Sequence, residues 1–315
     1  MGVGLAEPER NVMNQRPFGP VIVAYDGSKA ARAAAAYGAQ EATRRGVGLT
    51  MIYAHQPTPM WGPATPILDD YSWERDWIHQ ILRDGRKEVA LAYPELEIDA
   101  KIMSGSPAGA IIDASTTASL VVTGTQSTAG IIGHLAGSVA AQIAAHAHTP
   151  VIVVRETDSV RPHSSPSPAR IVVGLDGSDE SQRALAFAVD EAVERDASIE
   201  AVYGWCVPDV HDIEPFINST YVLEDEKAKA DRLVSEAVSG WSDRYPDLAI
   251  THRIVYTFDA VDALLQASTE ADLIVVGSRG HGGFLGLRLG STVDGLIRLS
   301  SVPVAVVRGE YAARR

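Results

Sequence analysis

The sequence predicts an α/β protein of two tandem doubly wound domains, each a five-stranded parallel sheet of order 3-2-1-4-5 with helices on both faces. Three observations lead to this fold class. Short, largely apolar β-branched runs alternate with helical stretches, the pattern of strands covered on both faces by crossover helices. The alternation occurs twice. VIVAYDGS at 21–28 matches IVVGLDGS at 171–178, and TMIYAHQP at 50–57 matches EAVYGWCVP at 200–208. AYPELEI at 92–98 matches RYPDLAI at 244–250, and TPVIVVR at 149–155 matches VPVAVVR at 302–308. Finally, a glycine-rich loop recurs after the fourth strand, GTQSTAGIIGHLAGSV at 124–139 and GSRGHGGFLGLRLGSTV at 277–293.

In the first half, strands are expected at 20–25, 48–55, 96–103, 119–124 and 150–155. Helices fall between them at 29–45 (Ala-rich and opened by Ser28), 73–92, 107–118 and 138–147. The second half repeats the strands near 170–175, 198–205, 249–256, 272–277 and 303–308. Pro150 and Pro303 stand at the first position of each last strand, where a missing N–H costs least. The segment 156–169, rich in Ser and Pro and without periodicity, reads as a linker between domains at 18–155 and 170–308. If Asp26 and the loop after the fourth strand serve one ligand, the first and fourth strands are neighbours. The site then lies where the strand order reverses, which gives 3-2-1-4-5 with right-handed crossovers.

Bulk properties exclude several classes. A chain of 315 residues accommodates about two domains. The net charge of −13, with no long Lys/Arg run, disfavours nucleic acid and anionic membrane surfaces as partners. No apolar stretch approaches the ~18 residues of a membrane span. The charged first 17 residues do not read as a signal peptide. The single cysteine, Cys206, rules out an intramolecular disulfide and suits a reducing compartment, so a cytoplasmic location is expected.

The loops carry the chemistry. Gly124, Ser127, Gly137 and Ser138 precede Gly277, Gly280, Gly290 and Ser291 by 153 residues each. Glycines at 277 and 280 permit close backbone approach to a ligand and a positive φ. Gly290 and Ser291 open a helix whose free N–H groups and dipole favour phosphate. The alternative is a flexible glycine loop with a helix cap; duplication in register, with an Asp at the matching strand end of each copy, favours binding. Asp26 and Asp176 also suit an Asp-Gly-Ser turn, and Ser28 and Ser178 read as helix N-caps rather than nucleophiles.

With these motifs in place, the chain resembles the tandem-type universal stress proteins over about 20–308. That family carries G-2x-G-9x-G-[ST] after the fourth strand and Asp after the first. The resemblance implies ATP, or a related adenine nucleotide, accompanied by magnesium. It implies that Gly174 and Asp176 flank ribose and phosphates and that Gly204 meets the adenine edge. The phosphates would be cradled by Gly277, Ser278, Arg279, Gly280, His281, Gly282, Gly283, Gly290, Ser291 and Thr292. In the first copy the same places hold Ala24, Asp26, Ala54, Gly124, Thr125, Gln126, Ser127, Thr128, Ala129, Gly130, Gly137, Ser138 and Val139. Ser127 stands where the motif has its second glycine. If that position needs φ > 0, a serine costs of order 1 kcal/mol, and the first site is expected to be the weaker.

The resemblance further implies pairing through the last strands. The two halves are expected to cover each other as a pseudo-dimer, and a homodimer and a regulatory protein partner are also expected. No G-x-x-x-x-G-K-[ST] loop or protein-kinase signature is present, and no G-x-G-x-x-G follows a first strand. Of the parts that phosphoryl transfer needs, only a cradle and one Asp are evident. A nucleotide-binding regulator is therefore favoured over a slow ATPase or phosphotransferase with Asp176 on magnesium, and over a scaffold with vestigial sites. His134, His146 and His148 lack metal-ligand spacing and suit surface or capping roles, and Cys206 reads as a buried thiol. Segments 56–80 and 206–224 suit lids or interfaces as well as plain surface loops.

Overall fold

Both halves begin by turning the chain sharply at Asp-Gly-Ser, and that turn decides where the first helix sits. The computed structural model describes residues 19–56, 72–125, 138–156, 169–205, 220–257, 259–280, 289–309 and 311. Strand β1 (Val21–Ala24) leads through this turn into helix α1 (Lys29–Arg45). There follow β2 (Leu49–His55), α2 (Ser72–Ala92), β3 (Ile98–Ser104), α3 (Pro107–Ala114), β4 (Leu120–Thr125), α4 (Ser138–His146) and β5 (Val151–Arg155). The second half runs β6 (Ala169–Leu175), α5 (Asp179–Arg195), β7 (Ala197–Trp205), α6 (Thr220–Arg244) and β8 (Ile250–Tyr256). It closes with α7 (Ala260–Ala267), β9 (Leu273–Gly277), α8 (Ser291–Leu299) and β10 (Val304–Val307).

The expected elements are all present. The helix expected over 107–118 ends at Ala114 and tightens into a 3-10 turn over Ser115–Thr117, where Ser115, Thr116 and Thr117 each donate back to a carbonyl three residues earlier. Of the expected linker, 157–168 lies outside the described residues.

The ten strands form one sheet, ordered β3-β2-β1-β4-β5-β10-β9-β6-β7-β8. Each half is parallel and has the expected 3-2-1-4-5 order. The halves meet through an antiparallel pairing of β5 with β10, Ile152 opposite Ala305. The edge that each last strand would expose is thus covered by the other. Pro150 and Pro303 sit just before these strands and each accepts through its carbonyl, from Val121 and Ile274 at 3.0 Å. One face of the sheet packs on α1, α2, α5 and α6, around residues such as Ala34, Leu82, Leu185 and Val234. The other face packs on α3, α4, α7 and α8, around Ile111, Ile143, Leu264 and Leu296.

A buried ion cluster joins α1 to α5 where the halves meet. Arg195 reaches Glu41 at 2.9 Å, while Arg45 reaches Glu191 in return, and each arginine also bonds the glutamate of its own helix. All four residues are at most 5% exposed. Glu41 and Glu191, like Arg45 and Arg195, stand 150 residues apart, so the contact is the same contact made twice about a pseudo-twofold axis. Burial opposes the Arg195 charge, but Glu41, Tyr37 and Glu191 outweigh it and hold the guanidinium well above its ordinary pKa. Burial likewise pushes the Tyr37 phenol up to about 12. Tyr311 closes the seam, its hydroxyl donating to Asp190 at 2.8 Å and its ring set edge-on to Phe187.

Candidate functional site

The strand order reverses between β1 and β4 in the first half and between β6 and β9 in the second, and beyond the carboxyl ends of strands at such a reversal is where open α/β sheets bind their ligands. The Asp-Gly-Ser turns follow β1 and β6 at these ends. Asp26 Oδ1 accepts the Ser28 N–H at 2.9 Å. Asp176 Oδ1 accepts both the N–H and the hydroxyl of Ser178, at 2.9 and 2.6 Å. Gly27 and Gly177 take φ of 80° and 81° to make the turn. A side chain at either would also press into Ile81 or Leu233, at 2.9 and 2.8 Å. Ser28 and Ser178 cap their helices, accepting from Ala31 and Ser181 at 3.1 and 3.2 Å, as expected.

Of the two properties expected of the loop glycines, close approach and a positive φ, the second is not found. None of Gly124, Gly174, Gly204, Gly277, Gly280 and Gly290 lies in the positive-φ region, so backbone freedom is not what selects them. Gly124, next to last in β4, and Gly277, last in β9, lie against the first turn of α1 and α5. A Cβ at 124 would lie 2.4 Å from the Ala30 carbonyl oxygen, and one at 277 would lie 2.8 Å from the Glu180 Cβ. Gly174 faces Leu264 and Val276, while Gly204 faces Thr257 and Ala260. Gly280 is the position set closest to a polar group: a Cβ there would lie 2.3 Å from Asp176 Oδ2.

Between β9 and α8, residues 281–288 lie outside the described residues. Ser278 is buried; its N–H donates to Val307 at 2.9 Å and its carbonyl accepts from Gly290 at 3.0 Å, pinching the loop at its base. Arg279 and Gly280 are exposed above this pinch. Helix α8 then starts at Ser291 behind Gly290, whose φ of −69° and ψ of 149° are those of an N-cap but which offers no capping side chain. Helices α1, α3, α5 and α7 are capped by Ser28, Ser106, Ser178 and Asp259. Helix α8 therefore presents its first N–H groups uncapped, flanked by Ser291 and by half-buried Thr292.

In the first half, Thr125 is buried, Ala24, Ala54 and Val139 are partly buried, Asp26 is exposed, and Ser138 begins α4. Gln126, Ser127, Thr128, Ala129, Gly130 and Gly137 lie outside the described residues, as do His281, Gly282 and Gly283, and so do His134 and Cys206. His146 and His148 stand at the far end of α4 from the mouth, the latter donating its backbone N–H to Ser115 at 2.9 Å.

The first mouth also carries aromatic residues that the motif search does not single out. Tyr53 meets the half-exposed Trp77 edge-to-face at 6.4 Å, and His55 lies 3.6 Å from Glu74. Burial, then the carboxylates of Asp26 and Glu74, raise the Tyr53 pKa. A tyrosine at the end of the second strand (203 in the other copy) was legible as part of the repeat; Trp77, on a helix after an unpatterned segment, was not.

Comparison with known proteins bears on the family and the fold. The model of the universal stress protein family matches residues 17–155 and again 169–308. Universal stress protein Rv2623 of Mycobacterium tuberculosis is 34% identical over 292 residues, covering 91% of this chain and 96% of that protein. Universal stress protein Rv2005c of the same organism is 32% identical with the same coverage. The crystal structure of a universal stress protein from Archaeoglobus fulgidus shares the fold with a TM-score of 0.65 at 19% identity, covering 91% of this chain and 98% of that one. The chain belongs to the universal stress protein family.

Proposed function

We propose that this member of the family binds ATP, with magnesium carried on its phosphates, and acts as a nucleotide-dependent regulator in the stress response. The observation that carries this reading is the uncapped start of α8 behind Gly290, opposite an Asp-Gly-Ser turn whose Asp176 abuts Gly280. Phosphate oxygens would accept from the N–H groups of Ser291 and Thr292 and from their hydroxyls. Each such charge-assisted bond contributes about 1.5–3 kcal/mol, so a few suffice for the −8 kcal/mol or so of micromolar binding. Asp176, set against the loop, would meet the metal or the ribose. The second domain is the stronger site in this proposal, because the first has Ser127 where the second has Gly280.

The protein would work in the cytoplasm, and its occupancy would change its fit to a regulatory partner protein. A second copy joining to form a homodimer would use a surface other than β5 and β10, which are paired within the chain. Mass spectrometry of small molecules released on denaturing the purified protein tests the ligand. Adenine nucleotide near one per chain or more supports the reading, and its absence together with no calorimetric response to ATP overturns it. Sustained ADP release abolished by Asp176→Asn would make the protein a catalyst instead of a regulator.

A further inference from the structure

The repeated TPVIVVR and VPVAVVR segments end in an arginine that the nucleotide reading does not use. Arg155 closes β5 and Arg308 follows β10, 153 residues apart. Because these strands pair antiparallel across the pseudo-twofold axis, each arginine leaves its own domain and enters the other. Arg155 donates to the carbonyls of Ser300, at 2.6 Å, and Arg298, at the carboxyl end of α8. Arg308 donates to the Ala145 carbonyl in the last turn of α4. These are carbonyls without a following helical turn to bond them, at the end of the dipole that favours a cation.

Helices α4 and α8 are the two that open at the glycine loops, with Ser138 and Ser291 as their first residues. Each has nine residues, about 13 Å of helix, so a pivot at its carboxyl end sets where its first N–H groups point. We propose that Arg155 and Arg308 are positioning residues acting across the domain interface, each holding the far end of the helix that forms the other domain's phosphate cradle. Binding in one domain thereby depends on a residue of its neighbour. This deepens the ATP reading and rests on it for the ligand, but the grip itself is testable without nucleotide.

The experiment is amide hydrogen exchange on the full chain, followed by peptides covering α4 and α8 separately, without ligand and across an ATP titration. Arg155→Met keeps the apolar stem and removes the charge. In the unliganded protein it is expected to speed exchange in the last turn of α8 while leaving α4 unchanged. With ATP, the concentration that half-protects the start of α8 should rise about three- to tenfold, and that for α4 should stay within twofold. Arg308→Met should give the mirror image, and Arg155→Lys should restore most of the α8 response. Equal effects on both helices would mark Arg155 as a general stabiliser and overturn the proposal, as would unchanged exchange in the last turn of α8. Wild-type protein in which ATP protects neither helix would refute the nucleotide reading alone, the unliganded comparison still deciding whether the grip exists.

Discussion

Replacing Gly280 by serine converts the second loop to the residue of the first, and the structure gives the size of the effect. The new Cβ would lie 2.3 Å from Asp176 Oδ2, whereas ordinary contact begins near 3.4 Å, so the carboxylate must retreat by about 1.1 Å. It is not free to do so, because the same rigid group accepts two bonds from Ser178, at 2.9 and 2.6 Å. A swing of that size breaks at least one charge-assisted hydrogen bond, worth about 1.5–3 kcal/mol. Gly280→Ala, which adds the Cβ alone, should therefore destabilise by about 2 kcal/mol in urea unfolding. In an Asp176→Ala background the obstruction is gone and the same change should cost under about 0.5 kcal/mol, a coupling of about 1.5 kcal/mol between the two sites. If Asp176 also touches the ligand, Gly280→Ser should weaken ATP binding at the second site by about 10–30-fold in calorimetry. Additive single and double mutants would refute the steric reasoning, whatever happens to ATP.

Other consequences can be checked independently. Gly277→Ala and Gly124→Ala should each destabilise by about 1–3 kcal/mol without nucleotide, since their Cβ atoms would press on the first turn of α5 and α1; unchanged denaturation midpoints would show that those contacts relax freely. Glu191→Gln removes a carboxylate that Arg45 and Arg195 share and should cost about 3–5 kcal/mol by chemical denaturation, whereas replacing all four charges by Leu and Met should recover most of it. Alkali should weaken the fold through Tyr37. Its folded pKa is about 12 against the ordinary 10.0 of a phenol in water, so between those values the folded protein keeps a proton that the unfolded chain has lost. Stability should therefore be intact below pH 10 and fall by about 1.4 kcal/mol per pH unit above it, with Tyr37→Phe flattening the slope in urea titrations between pH 9 and 12.

The sequence carried most of the strand order because period, repeat and the position of Asp26 all constrain it. Strands buried on both faces have an unbroken apolar run that survives any register, and a crevice at the reversal leaves few topologies. The bounds of α3 were less legible: the Ser-Thr-Thr run at 115–117 continues the chain's curl, but its hydroxyls compete for the backbone carbonyls and tighten it. The Glu41–Arg45 and Glu191–Arg195 pairs look, at a spacing of four, like solvent-facing helix pairs. Only their recurrence at an offset of 150 inside apolar helices hinted that the charges meet each other. The glycines were legible as special for two reasons, close approach without a Cβ and a positive φ, and the structure removes only the second, since sequence cannot tell one from the other.

Comparing the two copies separates what symmetry holds from what it releases. Across the pseudo-twofold axis Glu41 and Glu191 each bond both Arg45 and Arg195, so a change at either glutamate removes a partner from both arginines. The charged pairs that cross the interface are the same in both halves, Glu41 and Glu191, Arg45 and Arg195, Arg155 and Arg308, while around them Tyr37 stands against Phe187 and Arg44 against Glu194. At positions the repeat aligns near the two sites the copies differ in sequence, Ala24 against Gly174, Ala54 against Gly204, His55 against Trp205, Ser127 against Gly280. The interface thus ties the domains to a common frame while leaving each mouth free to take a different ligand or none. If the arginines that cross the interface do hold the opposite cradles, that frame is also the route by which occupancy of one site can influence the other.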